Sequence, residues 1–524
     1  MNRRTPLVFL LAAGSLLAAD AHVWKVAGPP PDSWQSGRVA DLASHRTALL
    51  DKLGSKALVI LYAAEPRNYA GDVDWPYRQE NNFFYLTGIA QEGSFLVLLP
   101  GEDRIREILF MPPRNPSQET WTGHILSADE GRAISGIREI WDARDFDSFL
   151  ATLIPPAKAV LPPPPPPSRY GRSGLQPPAP IPVDISQTFA KTIASVAEGS
   201  AQLYMLSDDS PEYRREHEFT AKLAAADPGL AIKNPGPMLE NLRAVKSTRE
   251  IALLQHAVDI TAEGFQRAYT VAVPGTPEYE IQAQFEFTFL RRNAHWGYPC
   301  IVASGVNATT LHYETDKDTM KPGELLLMDD AAEFGGYSAD VTRTIPVSGK
   351  YSADQAEIYR LVWAGQHAGI EAALPGKTNA DITAAASKVI AEGLVKLGLM
   401  TDVNSKQQLR IWFNHGISHG IGLNVHDPGR PEFQAGMAIT MEPGIYVRPD
   451  ALDNLPKTAE NAKFIAAVKE AFEKYKGIGV RIEDDVLITN GQPQVMSAGI
   501  PSKLEEVEAA IAQWRKAVRT TSLP

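Results

Sequence analysis

The sequence predicts an α+β protein in which a smaller α/β domain, at about residues 30–230, precedes a larger domain at about residues 237–515. The chain has 524 residues, which is more than one hydrophobic core usually serves, so two domains are expected. Short apolar runs bounded by turn residues are typical of the first part. Long amphipathic helices arranged around antiparallel hairpins are typical of the second. These patterns place an α/β unit before a larger α+β unit.

Residues 1–21 have the layout of a secretory signal peptide. Arg3 and Arg4 precede an apolar stretch at Leu7–Leu17, and Ala19-Asp20-Ala21 provides a small-residue cleavage site. The stretch is shorter than the roughly 20 residues that span a bilayer, so no stable membrane insertion is expected. The predicted product is exported, either to a periplasm or out of the cell.

The first domain combines buried strands with a proline-rich insertion. Ala57–Ala63 and Ser94–Pro100 are apolar runs flanked by turn residues, which predicts two buried strands. The insertion spans residues 155–182 and contains six consecutive prolines at Pro162–Pro167. Such a run excludes helix and sheet and predicts exposed polyproline II structure. We interpret it as a surface insertion, with recruitment of a proline-recognising partner as the alternative.

Helical periodicity recurs through the second domain. Apolar residues at helical spacing predict an amphipathic helix over Glu250–Ala272, which Pro274-Gly275 ends. The remaining predicted helices are Glu278–Arg292, Gln355–Ala373, Asp381–Leu397 and a surface helix within Leu452–Lys476. The segments between these helices contain the candidate functional residues.

Two aspartates flank a predicted β-hairpin. The segment LLLMDDAAEFGGYSADVTRTIPV joins an apolar run and a β-branched run through a Gly335-Gly336 turn, which predicts two antiparallel strands. The midpoint between Asp329 and Asp340 falls almost on that turn, so the two carboxylates should face each other within about one residue of register. Asp330 competes with Asp329 as the functional acid, but strand alternation sends Asp330 to the opposite face.

Three more candidate metal ligands follow: His419 in HGISHGIGLNVHD, Glu442 in ITMEPGIYV and Glu483 in GVRIEDDVLIT. Four carboxylates and one imidazole form a hard, oxygen-rich set that suits divalent ions such as Mn²⁺ or Co²⁺ better than a structural zinc site. Two divalent ions would balance four carboxylates and leave room for a bridging hydroxide, as in two-metal hydrolases. Arg481 shares the strand face of Glu483 and would orient that carboxylate.

Composition excludes several other kinds of site and partner. The net charge of −11 and the lack of a long basic run argue against general binding of nucleic acid or anionic membranes. Cys300 is the only cysteine, so an intramolecular disulfide and a cysteine-based metal site are both excluded. The His-Glu-x-x-His motif is absent, which excludes the zincin peptidases.

The five ligand motifs and three further segments resemble those of the pita-bread metallopeptidases, and most closely the Xaa-Pro aminopeptidases (aminopeptidase P). The further segments are WPYRQENNFFYLTG at Trp75–Gly88, PPRNPSQETWTGH at Pro112–His124 and LRAVKSTREI at Leu242–Ile251. The likeness extends over residues 72–506. The eleven-residue spacing between the two aspartates, read with this likeness, favours Asp329 over Asp330 as the first ligand.

The resemblance implies a small N-terminal domain and a catalytic pita-bread domain, whose curved sheet bears helices outside and metals on its concave face. It implies two divalent ions, with Mn²⁺ preferred and Co²⁺ or Zn²⁺ as the other options. Their ligands would be Asp329, Asp340, His419, Glu442 and Glu483. Around the substrate, His312 and His426 would donate hydrogen bonds, His415 would lie close by, and Glu442 would also move a proton to the leaving nitrogen. The implied substrates are peptides with proline at the second position, and the implied assembly is a homodimer or homotetramer.

One departure from the family pattern and two alternative functions remain open. Where the family commonly has Asp-Ala-Gly, this sequence has Asp329-Asp330-Ala331, which adds an acid and a β-carbon beside the site. An Xaa-Pro dipeptidase (prolidase) would share all five ligands. A metal-free pita-bread protein that only binds a ligand is the alternative from another class.

Overall fold

The structure is a computed structural model that describes residues 26–160 and 181–521. The predicted signal peptide at residues 1–21 lies outside the described residues, and so does most of the predicted proline-rich insertion, including its six-proline run. Within the described ranges, no helix is both long enough and apolar enough to cross a membrane.

A six-stranded mixed sheet forms the centre of the N-terminal part. The strands of this part are β1 (Ala57–Tyr62), β2 (Asn68–Ala70), β3 (Val73–Asp74), β4 (Phe95–Leu98), β5 (Glu107–Met111), β6 (Glu139–Asp142), β7 (Gln202–Tyr204) and β8 (Ala231–Lys233). The sheet has the order β6-β5-β4-β1-β7-β8, with β1 antiparallel to β4 and parallel to β7. Leu58 and Ile60 pack into one apolar cluster and Val59 and Leu61 into another, so β1 is covered on both faces.

Short helices cover this sheet. They are α1 (Ser33–Ser36), α2 (Arg38–Leu50), α3 (Asn81–Thr87), α4 (Pro116–Thr122), α5 (Ala128–Ser135), α6 (Phe146–Leu153), α7 (Ile185–Thr188), α8 (Ala190–Ala197) and α9 (Arg214–Ala226). Single 3₁₀ turns occupy Ala143–Asp145, Pro155–Ala159 and Pro211–Tyr213. The two buried strands predicted from the sequence overlap β1 and β4.

Longer helices follow in the C-terminal part. They are α10 (Gly236–Arg243), α11 (Thr248–Val271), α12 (Glu278–Arg291), α13 (Ala353–Ala372), α14 (Asn379–Lys396), α15 (Lys406–Trp412), α16 (Ala459–Tyr475) and α17 (Leu504–Thr521). Capping boxes begin α11, α13 and α14 at Ser247, Ser352 and Thr378. In each box, the side-chain hydroxyl of the capping residue accepts a hydrogen bond from the backbone N–H of the third helical residue. The side chain of that third residue accepts one from the backbone N–H of the capping residue. The five helices predicted for this part overlap α11, α12, α13, α14 and α16.

Antiparallel strands fill the space between these helices. They are β9 (His295–Trp296), β10 (Ile301–Ser304), β11 (Leu325–Asp329), β12 (Ala332–Phe334), β13 (Tyr337–Ser338), β14 (Thr342–Pro346), β15 (Ala438–Met441), β16 (Gly444–Tyr446), β17 (Gly479–Arg481), β18 (Asp484–Leu487) and β19 (Gln494–Val495), with a 3₁₀ turn at Gly305–Thr309. The ladders have the orders β10-β11-β14, β13-β12-β9, β15-β18-β19 and β16-β17. Together with the mixed sheet, they form the predicted α+β architecture.

The aspartate hairpin forms, but its register differs from the prediction by one position. Gly335 and Gly336 both have positive φ, at 60° and 90°, and pair Phe334 with Tyr337 across the turn. The same register places Asp329 opposite Thr342, two residues from Asp340, rather than within about one residue. An offset of two residues keeps both carboxylates on one face of the ladder, because side chains alternate with a period of two.

Candidate metal centre

A single cavity of about 330 Å³ collects the candidate residues. All nine of them line it: His312, Asp329, Asp340, His415, His419, His426, Glu442, Arg481 and Glu483. These residues come from five separated segments of the C-terminal part and were predicted on separate motifs. The wall between them includes apolar side chains, among them Leu311 and Val425.

The two aspartates converge on the hydroxyl of Tyr298. The Tyr298 oxygen lies 2.6 Å from Oδ1 of Asp329 and 2.7 Å from Oδ1 of Asp340. One phenol has one proton to donate, so the two carboxylates compete for the same donor. The backbone N–H of Asp340 donates to Oδ2 of Asp485 over 3.1 Å, which holds the loop after β13 against β18.

His419 presents an unprotonated nitrogen to the acids. Its Nδ1 lies 3.1 Å from the carbonyl oxygen of Gly420, which fixes the proton on Nδ1. Nε2 then lies 3.4 Å from Oδ2 of Asp340 and 3.4 Å from Oε1 of Glu442. This tautomer and orientation are those of a metal-ligating histidine, in which the second ring nitrogen is held by a carbonyl.

Glu483 lies between β17 and β18 and is held by the Thr342 hydroxyl, to which Arg481 donates. The Thr342 hydroxyl donates to Oε2 of Glu483 over 2.6 Å and accepts from Nε of Arg481 over 3.0 Å. Arg481 also pairs with Oδ2 of Asp329 over 2.5 Å and donates to the Tyr446 hydroxyl over 3.1 Å. Arg481 therefore orients one ligand directly and another through Thr342.

Burial of this cluster shifts the protonation of its members. Burial raises the pKa of Asp340 and of Glu483 well above their usual range, and the neighbouring carboxylates raise both further. Burial also raises the pKa of Glu442 to about 8, against the opposing effect of Arg481. Burial lowers the pKa of His419 to about 4, so this imidazole is neutral at physiological pH.

The donor set fits divalent cations. Donor atoms of Asp340, His419 and Glu483 lie within 4.8 Å of one another, with Glu442 adjoining His419. Carboxylates crowded this closely in a buried site repel one another unless cations or protons neutralise them. Oxygen and imidazole ligands without thiolate match hard or borderline divalent ions.

The other three histidines surround the ligands in different ways. The Tyr446 hydroxyl holds the His415 ring through a hydrogen bond to Nε2 over 2.9 Å. The other ring nitrogen of His415, Nδ1, lies 3.6 Å from Oε2 of Glu442. Burial and the charge of Arg481 lower the pKa of His415 to about 4. His312 and His426 are exposed at the cavity, and the His426 ring centroid lies 4.3 Å from that of His419. Both are placed to contact a molecule in the cavity.

The N-terminal part supports the loop that bears His419 and His426. Asp427 is buried beside Lys246, whose Nζ lies 3.0 Å from Oδ2, and it pairs closely with Arg243. Arg243 in turn donates to Oδ1 of Asn82 over 2.8 Å. A buried charge network therefore connects α3 of the N-terminal part with the histidine loop.

Sequence reasoning identified the charged residues that line the cavity but missed their neutral partners. Tyr298, Thr342 and Tyr446 each hydrogen-bond two members of the site, and none was proposed. For Thr342, the available signal was strand alternation, since it lies opposite Asp329 in the ladder. Asp330, the competing acid, does not line the cavity and is buried on the other side of the strand.

Comparison with known proteins identifies the family of this chain. The model of metallopeptidase family M24 matches residues 252–490, and that of the aminopeptidase P N-terminal domain matches residues 42–161. The Xaa-Pro aminopeptidase of Haemophilus influenzae is 30% identical over 479 residues, which cover 89% of this chain and 96% of that protein. The chain belongs to metallopeptidase family M24.

Other relatives of this M24 chain extend the likeness to the whole fold. The Xaa-Pro aminopeptidase of Escherichia coli is 30% identical over 483 residues, covering 90% of this chain and 97% of that protein. The structure of Escherichia coli aminopeptidase P with the inhibitor Pro-Leu superposes with a TM-score of 0.73 at 28% identity, over 91% of this chain and 99% of that one. The family and the pita-bread fold expected from the motifs are thereby confirmed, and the protein is a metallopeptidase that depends on divalent metal.

Proposed function

We propose that this metallopeptidase removes the N-terminal residue from peptides whose second residue is proline. The observation that supports this most strongly is the convergence of five candidate ligands and three accessory histidines in one cavity. The similar proteins from Haemophilus influenzae and Escherichia coli, which are named Xaa-Pro aminopeptidases, supply the substrate class.

Two divalent ions are proposed for the centre, with Mn²⁺ as the preferred metal. Asp329, Asp340, His419, Glu442 and Glu483 would hold them. When bound, the ions would activate water for attack and polarise the scissile carbonyl. A zinc-substituted Escherichia coli aminopeptidase P has been solved with product, so Zn²⁺ is kept as a second option.

Glu442 is the proposed proton carrier. Burial raises its pKa to about 8 in the metal-free protein, and its carboxylate lines the cavity in which the attacking water and the leaving nitrogen would lie, as a general acid–base group requires. His415, 3.6 Å away and neutral, cannot take its proton readily, because the pKa of His415 is lowered to about 4. Glu442 would therefore accept the proton from the attacking water and pass it to the proline nitrogen that leaves.

His312 and His426 are proposed to position the peptide. Both are exposed at the cavity beside the ligands, where an N–H could donate to the oxygen that gains charge during attack. Removing one such donor from an enzyme typically costs about 2.7–4 kcal/mol of transition-state stabilisation. His415 is instead held by Tyr446 and would maintain the wall of the cavity.

The cell location and assembly remain proposals of the same kind. The predicted signal peptide supports export to a periplasm or to the medium. We propose a homodimer or homotetramer, and size-exclusion chromatography coupled to light scattering would measure the mass of the assembly. A single protomer mass would refute it.

The decisive experiment is mass spectrometry of peptides incubated with the Mn²⁺-loaded protein. An Ala-Pro-Pro peptide should lose one N-terminal residue, chelation should stop the reaction, and an Ala-Ala-Pro peptide should remain intact. Asp340→Asn is the matched inactive control. Cleavage of only an Ala-Pro dipeptide would identify a prolidase, and no cleavage with metal present would refute the proposal.

A further inference from the structure

The strand pairing that carries two of the candidate ligands is interrupted at those ligands. The β15–β18 ladder ends at Met441, and the β16–β17 ladder begins at Gly444. The residues in this gap are Glu442 and Pro443 on one side and Ile482 and Glu483 on the other. Proline has no N–H for a ladder bond, and the backbone bond across the gap, from the N–H of Ile482 to the carbonyl of Pro443, is long at 3.4 Å. The backbone ladder is therefore weak at the two glutamates.

The side chain of Gln366 crosses this gap from the helix behind it. Gln366 lies on α13 and is 0% exposed. Its Nε2 lies 3.1 Å from the carbonyl oxygen of Met441 and 3.1 Å from that of Ile482. These two residues directly precede the candidate ligands Glu442 and Glu483. One buried amide thus donates to both sides of the gap, next to both ligands.

The surroundings of the Gln366 amide fix its orientation. A third acceptor, Oδ2 of Asp484, lies 3.0 Å from the same Nε2, so three oxygens share the two hydrogens of the amide nitrogen. Exchanging the nitrogen and the oxygen of this amide would point an oxygen at three acceptors. Within the described residues, Oε1 of Gln366 has no hydrogen-bond partner, and an unpaired buried carbonyl oxygen destabilises a fold. The chain therefore keeps a donor at the gap at the expense of an unpaired acceptor.

The backbones of the two ligands bond to separate segments. The N–H of Glu442 donates to the carbonyl of Ile417 over 2.9 Å. The N–H of Glu483 donates to the carbonyl of Thr342 over 3.0 Å. Gln366 instead connects both sides of the gap to one element, a 20-residue helix that begins with a capping box and whose hydrogen bonds hold its residues at fixed positions. The amide therefore gives the two ligand-bearing segments a common reference point.

We propose that Gln366 is a positioning residue that sets the separation of Glu442 and Glu483, on which the joint binding of divalent metal by these ligands depends. The inference rests on the metal centre of the proposed function. Gln366 is buried and does not line the cavity, so it acts through the backbone of the two ligands and not by contact with metal or substrate. Loss of a group that orients metal ligands typically lowers metal affinity or activity about 10–100-fold.

Gln366→Met tests this role, because methionine is similar in length and volume but has no N–H to donate. Isothermal titration of the metal-free protein with Mn²⁺ should give a Kd at least about tenfold higher than that of the wild type. The visible absorption spectrum of the Co²⁺-loaded protein, which reports ligand geometry, should change as well. Gln366→Asn keeps the amide but is one methylene too short to reach both carbonyls, so it should show the same two changes.

Gln355→Met is the matched control. Gln355 is buried on the same helix, about 16 Å along its axis from Gln366, and its amide also donates to the carbonyl of a distant segment, that of Gly323 over 2.8 Å. The substitution removes this bond and one half of the capping box, so it should lower the urea concentration at which the metal-free protein unfolds. It should leave the Kd for Mn²⁺ and the Co²⁺ spectrum unchanged.

An unchanged Mn²⁺ Kd and an unchanged Co²⁺ spectrum in Gln366→Met would overturn the positioning role. An equal loss of Mn²⁺ affinity in Gln355→Met would overturn it as well, because general loss of structure would then explain both variants. A wild-type protein that binds Mn²⁺ but cleaves no peptide with proline at the second position would refute the proposed function alone. A wild-type protein that binds no Mn²⁺ would refute the metal centre, and with it this inference.

Discussion

The raised pKa of Glu442 makes metal binding depend on pH in a calculable way. With a pKa of about 8, Glu442 in the metal-free protein is half ionised at pH 8 and about one part in a hundred ionised at pH 6. A cation must displace that proton, so the affinity for Mn²⁺ should fall roughly fiftyfold between pH 8 and pH 6 from Glu442 alone, or about 2.3 kcal/mol. Asp340 and Glu483 also have raised pKa values and should steepen the dependence. His419 adds nothing above pH 6, because its pKa is about 4.

The substitution Glu442→Gln isolates this contribution. The amide has the same shape but no proton to displace, so the slope of log Kd against pH should become shallower by about one proton, although the affinity at pH 8 should drop because a charge is lost. Isothermal titration with Mn²⁺ at several pH values between 6 and 8, in buffers of different ionisation enthalpy, measures both the slope and the protons released. Glu470→Gln, on the exposed face of α16, is the surface control. A flat wild-type profile, or the same slope in the wild type and Glu442→Gln, would refute the electrostatic account.

Three further predictions concern the partners of the site. Thr342→Val removes the hydroxyl that holds Glu483 and should lower kcat/KM about 10–100-fold, with recovery in Thr342→Ser; an unchanged kcat/KM would contradict the orienting role. Asp330→Ala removes a buried carboxyl group whose nearest donor is the weak thiol of Cys300, and it should raise the free energy of urea unfolding by about 1–3 kcal/mol; a decrease would show that the carboxyl group stabilises the fold. Asp427→Ala leaves the buried Arg243 guanidinium without its carboxylate partner and should lower the free energy of unfolding by about 3–5 kcal/mol. A loss near zero would show that this ion pair does not stabilise the fold in solution.

The sequence predicts those parts of the fold and the site that depend on short local patterns. The helical spacing of apolar residues predicts α11 and α13, and the paired glycines at Gly335 and Gly336 mark the hairpin turn. The capping boxes at Ser247 and Ser352, which begin these two helices two residues earlier than predicted, were missed. The candidate ligands are recognisable because each lies within a distinctive motif and acids seldom occur in apolar strands.

The parts that local reasoning misses depend on contacts between distant segments. Thr342 reaches Glu483 across 141 residues of sequence, and Tyr298 reaches Asp340 across 42. Threonine and tyrosine are ordinary strand residues, so residue type alone does not distinguish them from packing residues, and the signal for Thr342 was its pairing with Asp329 on the neighbouring strand. The turn residues were predicted correctly, but the midpoint of the two aspartates lies one position before the centre of the turn, and that shift becomes an offset of two residues in the pairing.

The surroundings of Asp330 show a similar limit. Alternation correctly sends its side chain to the face opposite Asp329, but the pattern does not say what lies there. Cys300 and Asp316 reach that face from other segments, and both line a smaller cavity of about 180 Å³ that no single motif contains. Long-range packing therefore decides what surrounds an extra acid such as Asp330.

The central claim is that Asp329, Asp340, His419, Glu442 and Glu483 together hold the metal that the peptidase requires. Anomalous diffraction from crystals of the Mn²⁺-loaded protein tests it most directly, with Glu483→Ala crystals as the comparison. The account predicts two anomalous peaks inside the cavity, in contact with these five side chains, and loss of at least one peak in Glu483→Ala. Peaks elsewhere on the protein with none among the five side chains would contradict it.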